Sequence, residues 1–172
     1  MNFLRLLTVI AAVFIAGGCG KNPPAPSAPV SAEMPFEELL VFLPKEAVSI
    51  AKESHGIDLD FSPSSVENVE QILGKLHTAY NKHRTTEGQR GLALAFGVYI
   101  GEVIRKHAGE GRWEKDHPQF GESAMPLYWK GNTSFPVAWC LKRLANGPDD
   151  NVWHKYQHFV SERLKTGATP KS

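Results

Sequence analysis

Two pairs of side chains have the types and the spacing that metal-assisted hydrolysis requires. Asp58 and Asp60 alternate with apolar residues, so on a strand their carboxylates would share one face and could hold Mg²⁺. His154 and His158 are four residues apart, a spacing at which two imidazoles on one helix can chelate a metal ion. Glu162 continues this row, but it would lie about 12 Å from His154 along the helix axis, so one ion cannot bind all three. Either pair would make the chain a metal-dependent hydrolase.

Both pairs also have a plainer interpretation. The aspartate pair resembles the Asp-x-Asp nucleophile motif of haloacid-dehalogenase-type phosphatases, in which the motif ends a buried parallel strand. No alternating strand–helix repeat follows it here, which favours solvent-facing aspartates beside a helix cap. The histidine pair lies opposite Trp153 and Tyr156, which favours a solvated helix face, and His117 could complete a site only through the tertiary fold. We therefore predict no metal site.

Cys140 is a candidate nucleophile. It shares an apolar helical stripe with Val137, Leu141 and Leu144, which predicts a small core residue. A catalytic thiol needs an exposed, electropositive setting and a nearby base, and the sequence indicates neither. The chain also contains no nucleophile elbow, zinc-protease motif or phosphate-binding glycine loop. The sequence therefore favours a protein that is not an enzyme and uses no cofactor.

Glu102 is the acidic residue best suited to a binding role. On a helix it lies among small residues, where a buried carboxylate needs a partner. Arg143 or Lys142 could provide that partner in a structural ion pair, which is the favoured interpretation. The alternative is an acid in a binding pocket beside Tyr99.

Four tryptophans supply candidate contact anchors. Large aromatic side chains dominate many interfaces, although they also fill cores. The four are Trp113, Trp129, Trp139 and Trp153. The binding surface is expected around Glu102, Trp113, Trp129 and Arg143.

The N-terminal segment has the order of features found in a secretory signal. Arg5 gives a positive start, and residues 6–16 form an uncharged apolar run, too short to cross a hydrocarbon core of roughly 30 Å. Small residues then lead directly into Cys19. The segment resembles the lipobox of bacterial lipoproteins, although the usual leucine three residues before the cysteine is Ala16 here. The resemblance implies that residues 1–18 are a cleaved signal peptide and that Cys19 carries acyl chains such as palmitate.

The residues after the cysteine predict where the protein is held. Gly20 follows Cys19 where an aspartate would signal retention, and the enterobacterial sorting rule then favours the outer membrane, facing the periplasm. Residues 19–34 include four prolines, which predict an extended, solvated linker. The expected partners are therefore the membrane, through the lipid anchor, and an envelope protein.

Composition indicates a single globular domain after this linker. The chain has 172 residues, of which 42% are hydrophobic and 22% charged. Its net charge of +1 lacks the excess of basic residues expected of a protein that binds nucleic acid. Residues 35–165 suffice for one core, and residues 166–172 are expected to form a flexible tail. The predicted fold is α+β, mostly helical, with a small sheet of short strands.

Hydrophobic periodicity assigns the elements. Pro44 is expected to end one short helix and start another, and the alternation over residues 57–61 predicts a strand. Helices are predicted from Ser62-Pro63 to residue 81 and over residues 86–107.

The second half is expected to start with short strands at residues 111–114 and 125–129. Ser134 is expected to cap a helix over 135–145, and a last helix should bury Val152, Trp153, Tyr156, Val160 and Leu164. Two glycines four apart, Gly97 and Gly101, cost a helix about 1 kcal/mol each against alanine and so predict a close-packed neighbour.

Several short motifs are similar to a family of bacterial domains of unknown function. They are Gly97-Val98-Tyr99-Ile100-Gly101-Glu102-Val103-Ile104-Arg105, Gly111-Arg112-Trp113, and Phe135-Pro136 leading to Lys142-Arg143-Leu144-Ala145-Asn146-Gly147. The resemblance covers about residues 57–160 and implies a compact α+β domain, without an activity or a catalytic residue.

The expected function is that of a lipid-anchored, periplasm-facing envelope protein with a non-catalytic binding domain. An immunity-type protein that neutralises a toxin arriving in the periplasm is one version. The alternatives are a periplasmic metal-dependent hydrolase using either residue pair, and an architectural envelope component.

Overall fold

The computed structural model describes residues 34–117 and 124–166. The predicted signal peptide, the lipidated Cys19, most of the linker and most of the tail lie outside the described residues. No helix in the two described ranges is long and apolar enough to span a membrane.

The described chain is mostly helical, with one small sheet, which confirms the predicted α+β class. The first half contains helices α1 (Phe36–His55), α2 (Ser65–His83) and α3 (Gln89–Ala108). Three strands follow, β1 (Arg112–Trp113), β2 (Leu127–Trp129) and β3 (Asn132–Ser134), and then helix α4 (Pro136–Asn146). A 3₁₀ turn (Pro148–Asp150) leads to α5 (Val152–Tyr156), a π-helical turn (Gln157–Ser161) and α6 (Glu162–Thr166).

Helix α3 is the centre of the core. Every residue from 91 to 101 is buried, because α1 and α4 pack against it and the sheet covers its C-terminal half. A helix that is apolar around most of its circumference is stable only when it is enclosed in this way.

The two glycines of α3 permit its closest contacts. A Cβ atom at Gly97 would lie 2.7 Å from the backbone nitrogen of Val137 in α4, inside van der Waals distance. A Cβ atom at Gly101 would overlap the indole ring of Trp113 in β1. The prediction of a close-packed neighbour is confirmed at both positions.

The sheet is antiparallel in the order β1-β2-β3. Lys130 and Gly131 connect β2 to β3 and both have positive φ, as a tight two-residue hairpin requires. Strands β1 and β2 confirm the predicted pair, whereas β3 was not predicted. Ser134 does not cap α4, since it lies in β3 and its hydroxyl accepts a hydrogen bond from Trp129 Nε1 at 3.0 Å.

Two expectations about the N-terminal half are wrong. Helix α1 continues through Pro44, because that residue and its neighbour Leu43 are buried and the packing of this face offsets one missing hydrogen bond. Residues 57–61 form no strand. Leu59 is buried between exposed Asp58 and Asp60, so the alternation correctly indicates which side chains face the core. However, none of the three strands in the described part of the chain pairs with this segment.

The last helical region confirms the predicted inner face only in part. Val152, Tyr156 and Val160 are buried, whereas Trp153 and Leu164 are half-buried. The π-helical turn interrupts the regular spacing on which the prediction was based.

Candidate functional site

An open pocket lies where α3 ends and the chain turns towards β1. Gly109 ends the helix in the left-handed conformation, with φ of 78°, and the following residues fold back beside the last helical turn. The pocket has a volume of about 270 Å³. It is lined by Glu102, Arg105, Lys106, Gly109, Glu110 and Gly111.

A half-buried ion pair forms one wall of this pocket. Arg105 Nη1 donates to both carboxylate oxygens of Glu102, at 2.9 and 3.0 Å, and Arg105 Nε donates to the carbonyl of Gly111 at 3.1 Å. Trp113 Nε1 donates to Glu102 Oε1 at 2.9 Å. The Glu102 side chain is 23% exposed, so the carboxylate reaches the pocket while its position is held from two sides.

The partner predicted for Glu102 is therefore wrong. Arg105 lies one helical turn further along α3, a spacing at which side chains meet on the helix surface, and it takes the place expected for Arg143 or Lys142. Tyr99 does not join the pocket either. Its hydroxyl accepts a hydrogen bond from the Phe61 backbone N–H at 2.8 Å and bonds to the Ser65 hydroxyl at 2.7 Å.

The pocket presents charges of both signs on a rigid frame. Lys106 is exposed at its rim, and Glu110 is held across the rim because its Oε1 accepts a hydrogen bond from the Lys130 backbone N–H at 3.0 Å. Such an arrangement suits the recognition of polar or charged groups, because the side chains need little reordering when a ligand arrives.

Arg143 has a structural role in the core. Its Nε donates to Glu70 Oε1 at 2.6 Å, and the two side chains are only 8% and 12% exposed. Glu70 Oε2 also accepts a hydrogen bond from the Val152 backbone N–H at 2.8 Å. One carboxylate thus joins α2, α4 and the start of α5.

The four residues predicted to form a binding surface do not come together as one. Trp129 is 2% exposed and bonded to Ser134, so it fills the core, as Arg143 does. Trp113 is 7% exposed and contacts the pocket only through its hydrogen bond to Glu102. Of the four, Glu102 alone lines the pocket.

The aspartate pair does not form a cluster with other metal-binding side chains. Asp58 is exposed and pairs with Lys52 at 2.7 Å, while Asp60 Oδ1 accepts a hydrogen bond from the Ser62 backbone N–H at 2.9 Å. Hydrogen bonds from Ser62 hold the pKa of Asp60 below its ordinary value. Within residues 34–117 and 124–166, no group of three His, Cys, Asp or Glu side chains could hold a metal ion.

The histidine row lies on an exposed surface. His154 and His158 are both exposed, and His158 Nδ1 lies 3.3 Å from Glu162 Oε2. His158 belongs to the π-helical turn, so the α-helical spacing assumed for the pair does not hold between them. His117 lies at the end of the first described range, just before the gap.

Cys140 is a core residue, as predicted. Its side chain is fully buried, and this burial, reinforced by the nearby negative charge of Glu70, raises the pKa of the thiol far above its ordinary value. A thiol held neutral in this way is a poor nucleophile.

The sequence interpretation missed an aromatic cluster, which consists of Trp139, His158 and Phe159. The rings of Trp139 and Phe159 are stacked with centroids 6.2 Å apart, and His158 meets Phe159 edge-on at 4.9 Å. Phe159 is 42% exposed. The sequence gives one sign of this cluster: Phe159 directly precedes Val160, which belongs to the predicted apolar face. On a regular helix, Phe159 would therefore lie next to that face.

Comparison of the chain with protein-family models, with curated proteins and with solved structures finds no match. The lipobox and the similarity to a bacterial domain family therefore stay predictions.

Proposed function

We propose that the chain is a lipid-anchored envelope protein, facing the periplasm, whose domain binds a partner without catalysing a reaction. The anchoring part is supported by the ordered N-terminal features: Arg5, the apolar run over residues 6–16, and the small residues before Cys19. Several acyl chains on one cysteine give a stable anchor, since each buried methylene contributes about 0.8 kcal/mol.

The binding part rests on one observation, the positioned Glu102–Arg105 pair in the wall of an open pocket. Trp113 and the Gly111 carbonyl hold the two side chains before any partner arrives, which lowers the entropy lost on binding. The pocket is small and charged, so it suits a polar segment of a protein partner that presents groups of both signs. A toxin reaching the periplasm is one such partner.

Site-specific photocrosslinking in intact cells tests this proposal. A photoreactive amino acid at Lys106, on the pocket rim, should capture one dominant protein. The same group at exposed Val41, on α1, is the matched control and should not capture that protein. Substitution Glu102→Gln keeps the shape of the side chain but removes its charge, and it should sharply reduce capture from position 106.

Two results would overturn the binding proposal. One is identical capture from positions 106 and 41, which would indicate random encounters. The other is capture that is unaffected by Glu102→Gln. A parallel Cys19→Ser variant should lose its membrane association, and persistent association would contradict the anchoring part.

A further inference from the structure

The pocket at the end of α3 contains two opposite charges that do not pair with each other. Lys106 and Glu110 both line the pocket, and both are exposed. Opposite charges four residues apart on a regular helix commonly form an ion pair. Here Gly109 ends the helix, and Glu110 Oε1 accepts a hydrogen bond from the Lys130 backbone N–H, which ties Glu110 to the β2–β3 turn instead. Among the described residues, neither Lys106 nor Glu110 forms an ion pair.

The rest of the pocket wall is neutral and held in place. Glu102 and Arg105 compensate each other's charge. The chain folds back closely over Arg105 because residue 111 is glycine, where a Cβ atom would lie 2.5 Å from Arg105 Cγ. Two groups are therefore left for a ligand. They are the Lys106 ammonium group and Glu110 Oε2, which accepts no hydrogen bond from the described part of the chain.

These two groups select a ligand that carries both signs of charge. A purely anionic ligand would be attracted by Lys106 and repelled by Glu110, and a purely cationic ligand would meet the reverse. The negative end of the α3 dipole also favours an ammonium group here. Lys106 acts electrostatically on Asp60 and helps to lower the pKa of that carboxyl, but the two form no ion pair. The volume of about 270 Å³ lies below the roughly 300–1,000 Å³ of pockets for drug-sized molecules, which indicates a small ligand.

We propose that this pocket binds a small zwitterion, with its ammonium group on Glu110 and its carboxylate on Lys106. A free amino acid has this chemistry. A basic and an acidic side chain that are neighbours on a protein partner offer the same two groups. The proposal rests on the proposed function, since it takes the pocket as the binding site and names the chemistry of the group that enters it.

An NMR titration tests the proposal. The protein is the full chain, ¹⁵N-labelled and purified in a non-ionic detergent, and the reporter is the indole N–H of Trp113, which donates to Glu102 in the pocket wall. The probes are unbranched amino acids from glycine to aminohexanoate, which carry the same two charges at increasing separation. A blocked dipeptide of lysine and aspartate represents the protein source. Methylammonium and acetate, each alone at the same ionic strength, are the single-charge controls.

At least one zwitterion should shift the Trp113 signal saturably, and the single-charge controls should not. Tighter binding of the amino acids or of the dipeptide would support the chemistry and assign its source. Lys106→Gln and Glu110→Gln should each weaken binding about two- to fivefold, as expected for the loss of one exposed ion pair. Lys82→Gln, at an exposed position near the end of α2, is the matched control and should leave binding unchanged.

Three results would overturn the proposal. They are no saturable shift with any zwitterion, an equal shift with methylammonium or acetate alone, and unchanged binding in both Lys106→Gln and Glu110→Gln. The photocrosslinking experiment replaces Lys106 itself, so capture from that position does not depend on its charge. Capture of a protein without zwitterion binding would therefore refute this proposal alone. Zwitterion binding without capture would refute the protein partner and leave the chemistry of the pocket standing.

Discussion

Replacing Glu70 by alanine should be among the most destabilising single substitutions in this domain. The change leaves the guanidinium of Arg143, whose side chain is only 8% exposed, without its carboxylate, and it removes the acceptor of the Val152 backbone N–H. Removing one partner of a buried ion pair typically costs about 3–5 kcal/mol, because an uncompensated charge stays in the core. The free energy of unfolding for a domain of this size is about 5–15 kcal/mol, so the loss is a large fraction of it.

Urea unfolding followed by tryptophan fluorescence measures this cost. Glu67→Ala, at an exposed position on the first turn of the same helix, is the matched control and should cost at most about 1 kcal/mol. The double variant Glu70→Leu/Arg143→Met replaces the pair by apolar side chains and should recover most of the stability. The reasoning is refuted if Glu70→Ala costs no more than Glu67→Ala, or if the double variant is less stable than Glu70→Ala.

Two further predictions concern packing and alkaline pH. Gly97→Ala should destabilise the domain by about 1–3 kcal/mol despite its better helix propensity, because the new methyl group meets the α4 backbone at Val137. Lys75→Ala, at an exposed position of α2, is the control and should cost less than about 1 kcal/mol; equal costs in urea unfolding would contradict this. Burial raises the pKa of Tyr156 to about 12, so the unfolded chain ionises first and stability should fall between pH 10 and pH 12, by up to about 3 kcal/mol. Tyr156→Phe should reduce this decline in unfolding measured across that range, and an unchanged decline would assign it to other groups.

Local patterns in the sequence predicted most of the helices and the environment of several side chains. Apolar periodicity indicated α2, α3 and α4, because each helix buries one stripe or, in α3, nearly its whole surface. The spacing of Gly97 and Gly101 predicted close packing, since a helix accepts two costly glycines only where a neighbour approaches. The buried state of Cys140 followed from its apolar neighbours for the same reason.

The errors arose where tertiary contacts outweigh local preference. Pro44 normally interrupts a helix, yet the packing of α1 keeps the helix continuous. Residues 57–61 alternate as a strand does, but a strand also needs a partner, and no periodicity shows whether one is present. The Glu70–Arg143 pair joins residues 73 positions apart, which the sequence alone does not bring together.

The candidate site was predictable only in part. Glu102 was expected mainly as half of an ion pair with Arg143 or Lys142, with a pocket beside Tyr99 as the alternative; it lies in a pocket wall, and its partner Arg105, three residues away on the same helix, was missed. The rule for side chains one turn apart would have indicated this pair. The aromatic cluster includes two residues of a π-helical turn, His158 and Phe159. Because such a turn does not follow the α-helical repeat, α-helical periodicity does not predict correctly which way Phe159 faces.

The mass of the N-terminal peptide tests the central claim most directly. The protein would be expressed with its complete N-terminal segment in a Gram-negative bacterium, extracted from membranes and digested, and its first peptide analysed by mass spectrometry. The account predicts a peptide that begins at Cys19 and carries the added mass of a diacylglycerol group and an amide-linked acyl chain. A peptide that begins before Cys19, or one that contains Cys19 without acyl chains, would contradict it.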